Sequence, residues 1–391
     1  MPDAPPPSPR YHGLDALRAV AMLAGVVFHA AMGFAEVPGF DIWPVRDPAA
    51  NKDWLAFVAV LHVFRMPLFF CVAGFLLATV LARKPAGEVL RSRLLRVGVP
   101  FTLGMIFLTP LVGLTAMWAS RSTGRAPADA SLFELYRAFL AKKSWLEQAT
   151  PMHLWFLEFL LIYSAVAIGL FVLWRRSCPT TETTPRRGWT YINYLAVVFA
   201  LCAAASVAAL PMDMRFIETP RTLLPPRGVL VFYGLFFAIG FAMARAVGDR
   251  TPAWLKVPRW RLLTSGVACA FLAIIGPLLP GEPGDPPFGR VFLYVLGVAG
   301  AVQALTMWGA VTTWKQGRAF RYLSDASYWT YLVHLPFVWV AHAAVFNAPW
   351  PAVLKLTFIC LAATLACLAT YQLFVRHTPI GRALNGPARR A

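Results

Sequence analysis

The sequence predicts an all-α fold, a polytopic transmembrane bundle of about ten helices with both termini in the cytoplasm. Three observations point there. Of the 391 residues, 58% are hydrophobic and only 14% are charged, whereas a soluble domain carries about a quarter of charged residues. Apolar runs of about 18 residues or more recur along the chain, the length that crosses a hydrocarbon core. Basic residues gather in alternate loops between those runs, the positive-inside pattern of cytoplasmic loops.

The first 13 residues, rich in proline, are expected to be a disordered tail. The apolar run after them shows no small-residue cleavage site followed by a soluble domain, so it is read as an uncleaved first span. Spans are expected near 14–35, 53–82, 94–119, 152–174, 191–210, 229–247, 262–280, 289–313, 327–346 and 351–375. They form one transmembrane domain over 14–376, followed by a basic tail, 377–391. Pro67, Gly74, Pro100 and Pro110 fall inside spans and predict kinks that neighbouring helices must satisfy. One set of loops holds Arg83, Lys84, Arg91, Arg93, Arg96, Arg175, Arg176, Lys315, Arg318 and Arg321. The other set holds most of the acids, among them Glu36, Asp47 and Asp53. The first set is placed in the cytoplasm.

A formal charge of +18 suits nucleic acid at first sight, but no basic run is interleaved with aromatics on a soluble segment, so no nucleic-acid partner is expected. Six cysteines occur without a CxxC pair. Five lie in apolar spans and Cys178 in a basic loop, so they read as small packing residues and no metal is expected.

Titratable groups inside hydrocarbon are costly and point to function. The first span places Asp15 and Arg18 one turn apart near its cytoplasmic end, and His29 eleven residues after Arg18. Eleven residues return to nearly the same face, roughly 16 Å further along the axis. Gly25 lies between them on that face and leaves room for close approach. By helical rise His29 and Glu158 lie roughly 9 Å below the outer surface and His62 roughly 13 Å, with Arg65 a little deeper. His153 stands at the outer mouth of the fourth span, and His334 is expected near the middle of the ninth. A neutral histidine can take a proton from a hydroxyl, a carboxylate can fix its tautomer, and an arginine can meet an oxyanion. No GxSxG, HExxH or Walker A motif occurs, so serine-elbow hydrolysis, zinc proteolysis and nucleotide-driven pumping lose support. Base-assisted acyl transfer to an alcohol and proton-coupled transport both remain.

The Arg18-x10-His29 spacing and the preceding LDALRAVAML resemble the opening of the acyltransferase-3 family of membrane acyltransferases. HVFRMPLFFCVAGFLLA (His62–Ala78) resembles its second signature, with Ala73 where many members have serine. RSRLLRVGVP (Arg91–Pro100) resembles the basic approach to its third helix. HLWFLEFLL (His153–Leu161) and SYWTYLVHLPF (Ser327–Phe337) resemble later motifs, so the likeness covers the whole chain. The second and fourth spans are most similar to the glucan biosynthesis protein C branch, which is associated with succinylation of osmoregulated periplasmic glucans.

The resemblance implies an inner-membrane O-acyltransferase that takes an acyl group from cytoplasmic acyl-CoA, succinyl-CoA or acetyl-CoA, to a hydroxyl of a periplasmic or cell-surface glycan. Membrane lipid and periplasmic glucan-synthesis proteins are its implied partners. His29 is then the catalytic base, or the carrier of the acyl group. Arg18, beside Asp15, shapes the donor channel, and Arg93 and Arg96 meet the CoA phosphates. Arg65 holds a succinyl carboxylate or an oxyanion. Depth, rather than the resemblance, adds Glu158 and His62 to the catalytic set, Glu158 as the carboxylate expected to orient His29. His153, Trp155, Tyr331 and His334 lie toward the substrate. A transporter or flippase of an acyl or glycan-lipid substrate is the alternative.

Overall fold

The computed structural model describes residues 11–36, 43–127, 131–134, 137, 150–177, 191–210, 219–220, 222–247, 258–275, 288–312 and 317–385. Most of the expected N-terminal tail, the end of the C-terminal tail and Cys178 lie outside the described residues. The described chain is helical, with a single β-bridge, Ala35 to Asn51, outside the helices. The order is α1 (His12–Ala31), α2 (Asp53–Leu81), α3 (Ala86–Ser122), α4 (Trp155–Ser177), α5 (Tyr191–Ala209), α6 (Arg227–Val247), α7 (Arg259–Ile275), α8 (Phe288–Val311), α9 (Arg318–Val345), α10 (Ala352–Thr370) and α11 (Pro379–Asn385). A short 3-10 turn, Met152–Leu154, leads into α4, and a π-turn, Tyr371–Val375, extends α10.

Seven of these helices, α1–α4, α6, α8 and α10, are long and apolar enough to cross a membrane. The other three expected spans also fold as helices. α5 and α7 have 19 and 17 residues. α9 has 28, but Arg318, Arg321, Asp325, His334 and His342 make it more polar. A helix that polar is tolerated in a bilayer only where neighbours cover it. α9 packs on α1, α10 and the C-terminal half of α3.

α1 is the hub, packed against α2, α8, α9 and α10. Its first half joins the larger core with α2, α4, α6 and α8, where Phe70, Phe75, Phe159, Phe236 and Tyr233 are fully buried. Its second half joins a second core with α9 and α10 through Val26, Phe34, Val338 and Ile359. Helices in lipid associate by close packing of small residues. α2 and α6 do so at Gly74 and Gly240, where a Cβ would meet the backbone of Phe237 and Cys71.

The expected distortions at the prolines of α3 appear as two π-turns, Leu94–Gly98 and Gly104–Leu108. A proline has no N–H for the carbonyl four residues before it. Pro100 thus frees the oxygen of Arg96, and the Tyr328 hydroxyl of α9 donates to that oxygen at 2.9 Å.

The segment 43–51, between α1 and α2, is folded into the bundle. Asp47 is 2% exposed and accepts from Nζ of Lys355 at 3.2 Å, from Nε2 of His342 at 3.2 Å and from the Ala49 amide at 2.9 Å. Its own amide donates to the Gly33 carbonyl at 2.9 Å, and Ser120 of α3 donates to the Pro44 carbonyl at 3.1 Å. Burial pushes the Asp47 carboxyl up, but the bonds from His342, Ala49 and Lys355 outweigh it and hold it below its ordinary value. Asp47 was read from sequence only as an acid of an outer loop. Lys355, alone in the apolar span of α10, is the signal that a buried partner exists.

A carboxylate with a lowered folded pKa stabilises above the ordinary carboxylate range, near ~4, and that stability is lost as pH falls through the folded value. Asp47→Asn is expected to destabilise the purified protein by about 3–5 kcal/mol at neutral pH, because Lys355 is left buried without its anion. The loss should shrink below pH ~4. Thermal unfolding in detergent across pH checks it, and equal stability of the two proteins at neutral pH would refute the anchor.

Candidate functional site

His29 lies in the last turn of α1 and remains half-buried. His62, His153 and His334 around it are 4%, 9% and 3% exposed. Nδ1 of His29 lies 2.6 Å from Nε2 of His334, with the ring planes within 5°. The other nitrogen of His334, Nδ1, faces the backbone oxygens of Thr330 and Tyr331 at 3.0 and 2.8 Å.

These distances fix the protons. Carbonyl oxygens only accept, so Nδ1 of His334 carries hydrogen. In neutral His334, Nε2 then holds a lone pair and accepts from Nδ1–H of His29. In neutral His29 the remaining lone pair sits on Nε2. Among the described residues no group bonds that Nε2. The result is an imidazole held in one tautomer with its basic nitrogen free, the state a general base needs.

The same helix holds the next histidine. Pro336 interrupts the ladder of α9 and frees the Leu332 carbonyl. Nε2–H of His153 donates to that oxygen at 2.8 Å, and the Tyr331 hydroxyl donates back to the His153 carbonyl at 2.7 Å. Met152, just before it, has a φ of 47°, a left-handed backbone that this double latch sustains. The His153 ring then meets His334 edge to face at 5.4 Å between centroids.

On the α2 side Phe28 is the common surface. The His62 ring stacks on it at 5.1 Å, and the Arg65 guanidinium sits over it at 4.7 Å. Gly25 makes this possible, because a Cβ there would lie 2.5 Å from Nη1 of Arg65. Among the described residues Arg65 makes no ion pair, and its buried Nε has no hydrogen-bond partner. The cluster of His29, His62, Arg65, His153 and His334 thus carries only basic groups, a setting for an anion or a developing negative charge.

Two expected members stand apart. Among the described residues Glu158 makes no bond to His29 or Arg65, and its buried Oε2 has no hydrogen-bond partner. His334, rather than Glu158, is the residue bonded to His29, since helical rise gives a residue's depth but not which way it faces. Trp155 is 5% exposed and packs on Phe159 and Tyr233 at 5.1 and 5.2 Å, within an aromatic core rather than on an open face.

A second basic group lies toward the N-terminal end of α1. Arg18 pairs with Asp15 at 3.6 Å. Arg93 is within electrostatic reach of Arg18 and Arg96. Tyr328, bonded to the Arg96 backbone, faces Arg18. Three guanidinium groups thus gather near this end of α1, charge that suits a phosphate-bearing ligand. Among the described residues no group of three metal-ligating side chains gathers.

Trp43 was not singled out from sequence. Its ring lies 5.8 Å from the His29 ring and 5.5 Å from that of Trp339. A tryptophan in a short loop carries no periodic signal, and only the anchoring of Asp47 brings it here.

The family model described as "Acyltransferase domain", of the acyltransferase-3 type, matches residues 11–372. Curated relatives named "Glucans biosynthesis protein C", from Salmonella typhi, Salmonella typhimurium and Salmonella schwarzengrund, are each 27% identical over 337 residues. Each alignment covers 84% of this chain and 83% of the relative. No solved structure matches.

The tautomer chain has a chemical consequence. Diethyl pyrocarbonate attacks unprotonated imidazole nitrogen, so brief treatment of the detergent-purified protein should modify His29 before His62, His153 or His334. Peptide mass spectrometry checks the order. Modification of His334 ahead of His29 would contradict it.

Proposed function

Because the chain belongs to the acyltransferase-3 family, we propose that it is an inner-membrane O-acyltransferase that moves an acyl group from acyl-CoA to a glycan hydroxyl. The free Nε2 of His29, held by His334, carries this reading. The family match favours acyl transfer over the transport that the residues alone left open. The name of the Salmonella relatives supports a glucan as acceptor.

The donor enters at the end of α1 that bears Arg18, Arg93 and Arg96, whose charges meet the CoA phosphates. The positive-inside pattern puts that end in the cytoplasm. His29 lies eleven residues away, roughly 16 Å along α1, within the outer half of the bilayer. A thioester threaded along that face reaches from one end to the other.

At His29 the acceptor O–H gives its proton to Nε2 as its oxygen attacks the thioester carbonyl. Negative charge gathers on the carbonyl oxygen, and Arg65 stabilises it. The carbon–sulfur bond then breaks, the proton passes from His29 to the leaving sulfur, and free CoA and the ester result. Arg65 alternatively holds the terminal carboxylate when the acyl group is succinyl. Multi-pass membrane placement follows from the seven apolar helices.

His29→Ala is expected to lower acyl transfer by roughly 10²–10⁴-fold in membranes supplied with isotopically labelled acyl-CoA and unacylated periplasmic glucan. Normal expression of the variant with normal transfer would sink the mechanism. Arg65→Gln separates its two roles. A loss of roughly 10²–10³-fold with both acetyl-CoA and succinyl-CoA marks oxyanion stabilisation. A loss confined to succinyl-CoA marks carboxylate binding. Full activity with both donors would remove Arg65 from the site.

A further inference from the structure

We propose that Trp43 is the acceptor-binding residue, a sugar platform that the Asp47 anchor holds beside His29. The proposal rests on the reading of His29 as the base that activates the acceptor. Trp43 lies in the segment between α1 and α2, at the end of α1 opposite Arg18, so it borders the site from the side away from Arg18, Arg93 and Arg96. Its ring is half-buried and faces the His29 ring at 5.8 Å, tilted by 34°. Behind it Trp339 of α9, 3% exposed, packs edge to face at 5.5 Å and 77° and fixes the plane of the indole.

Two features have no account within the fold. Among the described residues the buried indole N–H groups of both Trp43 and Trp339 have no hydrogen-bond partner. Buried tryptophan N–H groups ordinarily find one. Two orphan donors on adjoining rings beside a catalytic base suit a ligand rich in hydroxyl oxygens. The apolar face of a pyranose suits the indole face, and its hydroxyls suit the donors. A glycan is the acceptor class that offers both.

The segment is also held more firmly than a connecting loop requires. Asp47, four residues after Trp43, is bonded to Lys355 of α10 and His342 of α9, and Asn51 donates to the Phe34 carbonyl at 3.0 Å. The adjacent Pro44 carbonyl is tied to Ser120 of α3. Each tie lies within eight residues of Trp43 along the segment, and together they fix where its ring stands. Asp47, Lys355 and His342 are therefore positioning residues for Trp43.

Steady-state transfer by full-length protein in nanodiscs tests this, with labelled acyl-CoA as donor and a glucose hexasaccharide and unacylated periplasmic glucan as acceptors. Trp43→Ala is expected to raise the acceptor KM tenfold or more and to leave the donor KM within twofold. Trp43→Phe, which keeps a ring but not the N–H, should fall between. An unchanged acceptor KM in Trp43→Ala, or an equal rise in both KM values, overturns the proposal. Should Trp43→Ala fail to fold, Trp43→Phe against wild type decides by the same split. His29→Ala run alongside separates the two readings, since full activity there condemns the base while the KM split at Trp43 stands or falls by itself.

Discussion

Nδ1 of His334 lies against two backbone oxygens of α9, those of Thr330 and Tyr331. Neither oxygen can donate, so the proton on that nitrogen is dictated by the helix. The dictate passes through the ring to Nε2 and across 2.6 Å to His29. A backbone is a firmer reference than a carboxylate, because it neither titrates nor rotates. His29, the proposed base, is thereby tied to the packing of α1 against α9, and anything that shifts those helices shifts the tautomer.

The docking of α9 in turn depends on broken helical ladders. Pro336 releases the Leu332 carbonyl to His153, and Pro100 releases the Arg96 carbonyl to Tyr328. In hydrocarbon a freed carbonyl must find a donor within the protein. Here each finds one from another helix, so the same two prolines that distort their helices join α9 to α4 and α3. One junction lies beside His29 and the other beside Arg18. The two ends of the proposed path are thus set by the same kind of contact.

Much of this was legible before any coordinates. The apolar runs mark the seven helices long and apolar enough to cross a membrane, because burial in lipid acts on composition over 20 residues or so. His29, Arg18 and Gly25 follow from spacing on one helix, and the clearance that Gly25 gives Arg65 follows from its missing Cβ. Partners on different helices were less legible. Helical rise assigned Glu158 the depth of His29, but among the described residues no bond joins the two, and His334, placed deeper, is the residue that touches His29. Rotation about a helix axis depends on the neighbours, and one sequence does not reveal them. Asp47 and Trp43 were hidden for a different reason. Their segment has no periodicity, and its place depends on Lys355, 308 residues away in the chain.

The relay from α9 to His29 is the claim on which the rest depends, and the ring nitrogens report it directly. NMR of the detergent-purified protein with isotope-labelled histidine, assigned by His29→Gln, distinguishes the two neutral tautomers and the charged form. At neutral pH the account predicts that His29 is neutral, with hydrogen on Nδ1 and a bare Nε2. Hydrogen on Nε2 instead, with Nδ1 bare, would contradict it.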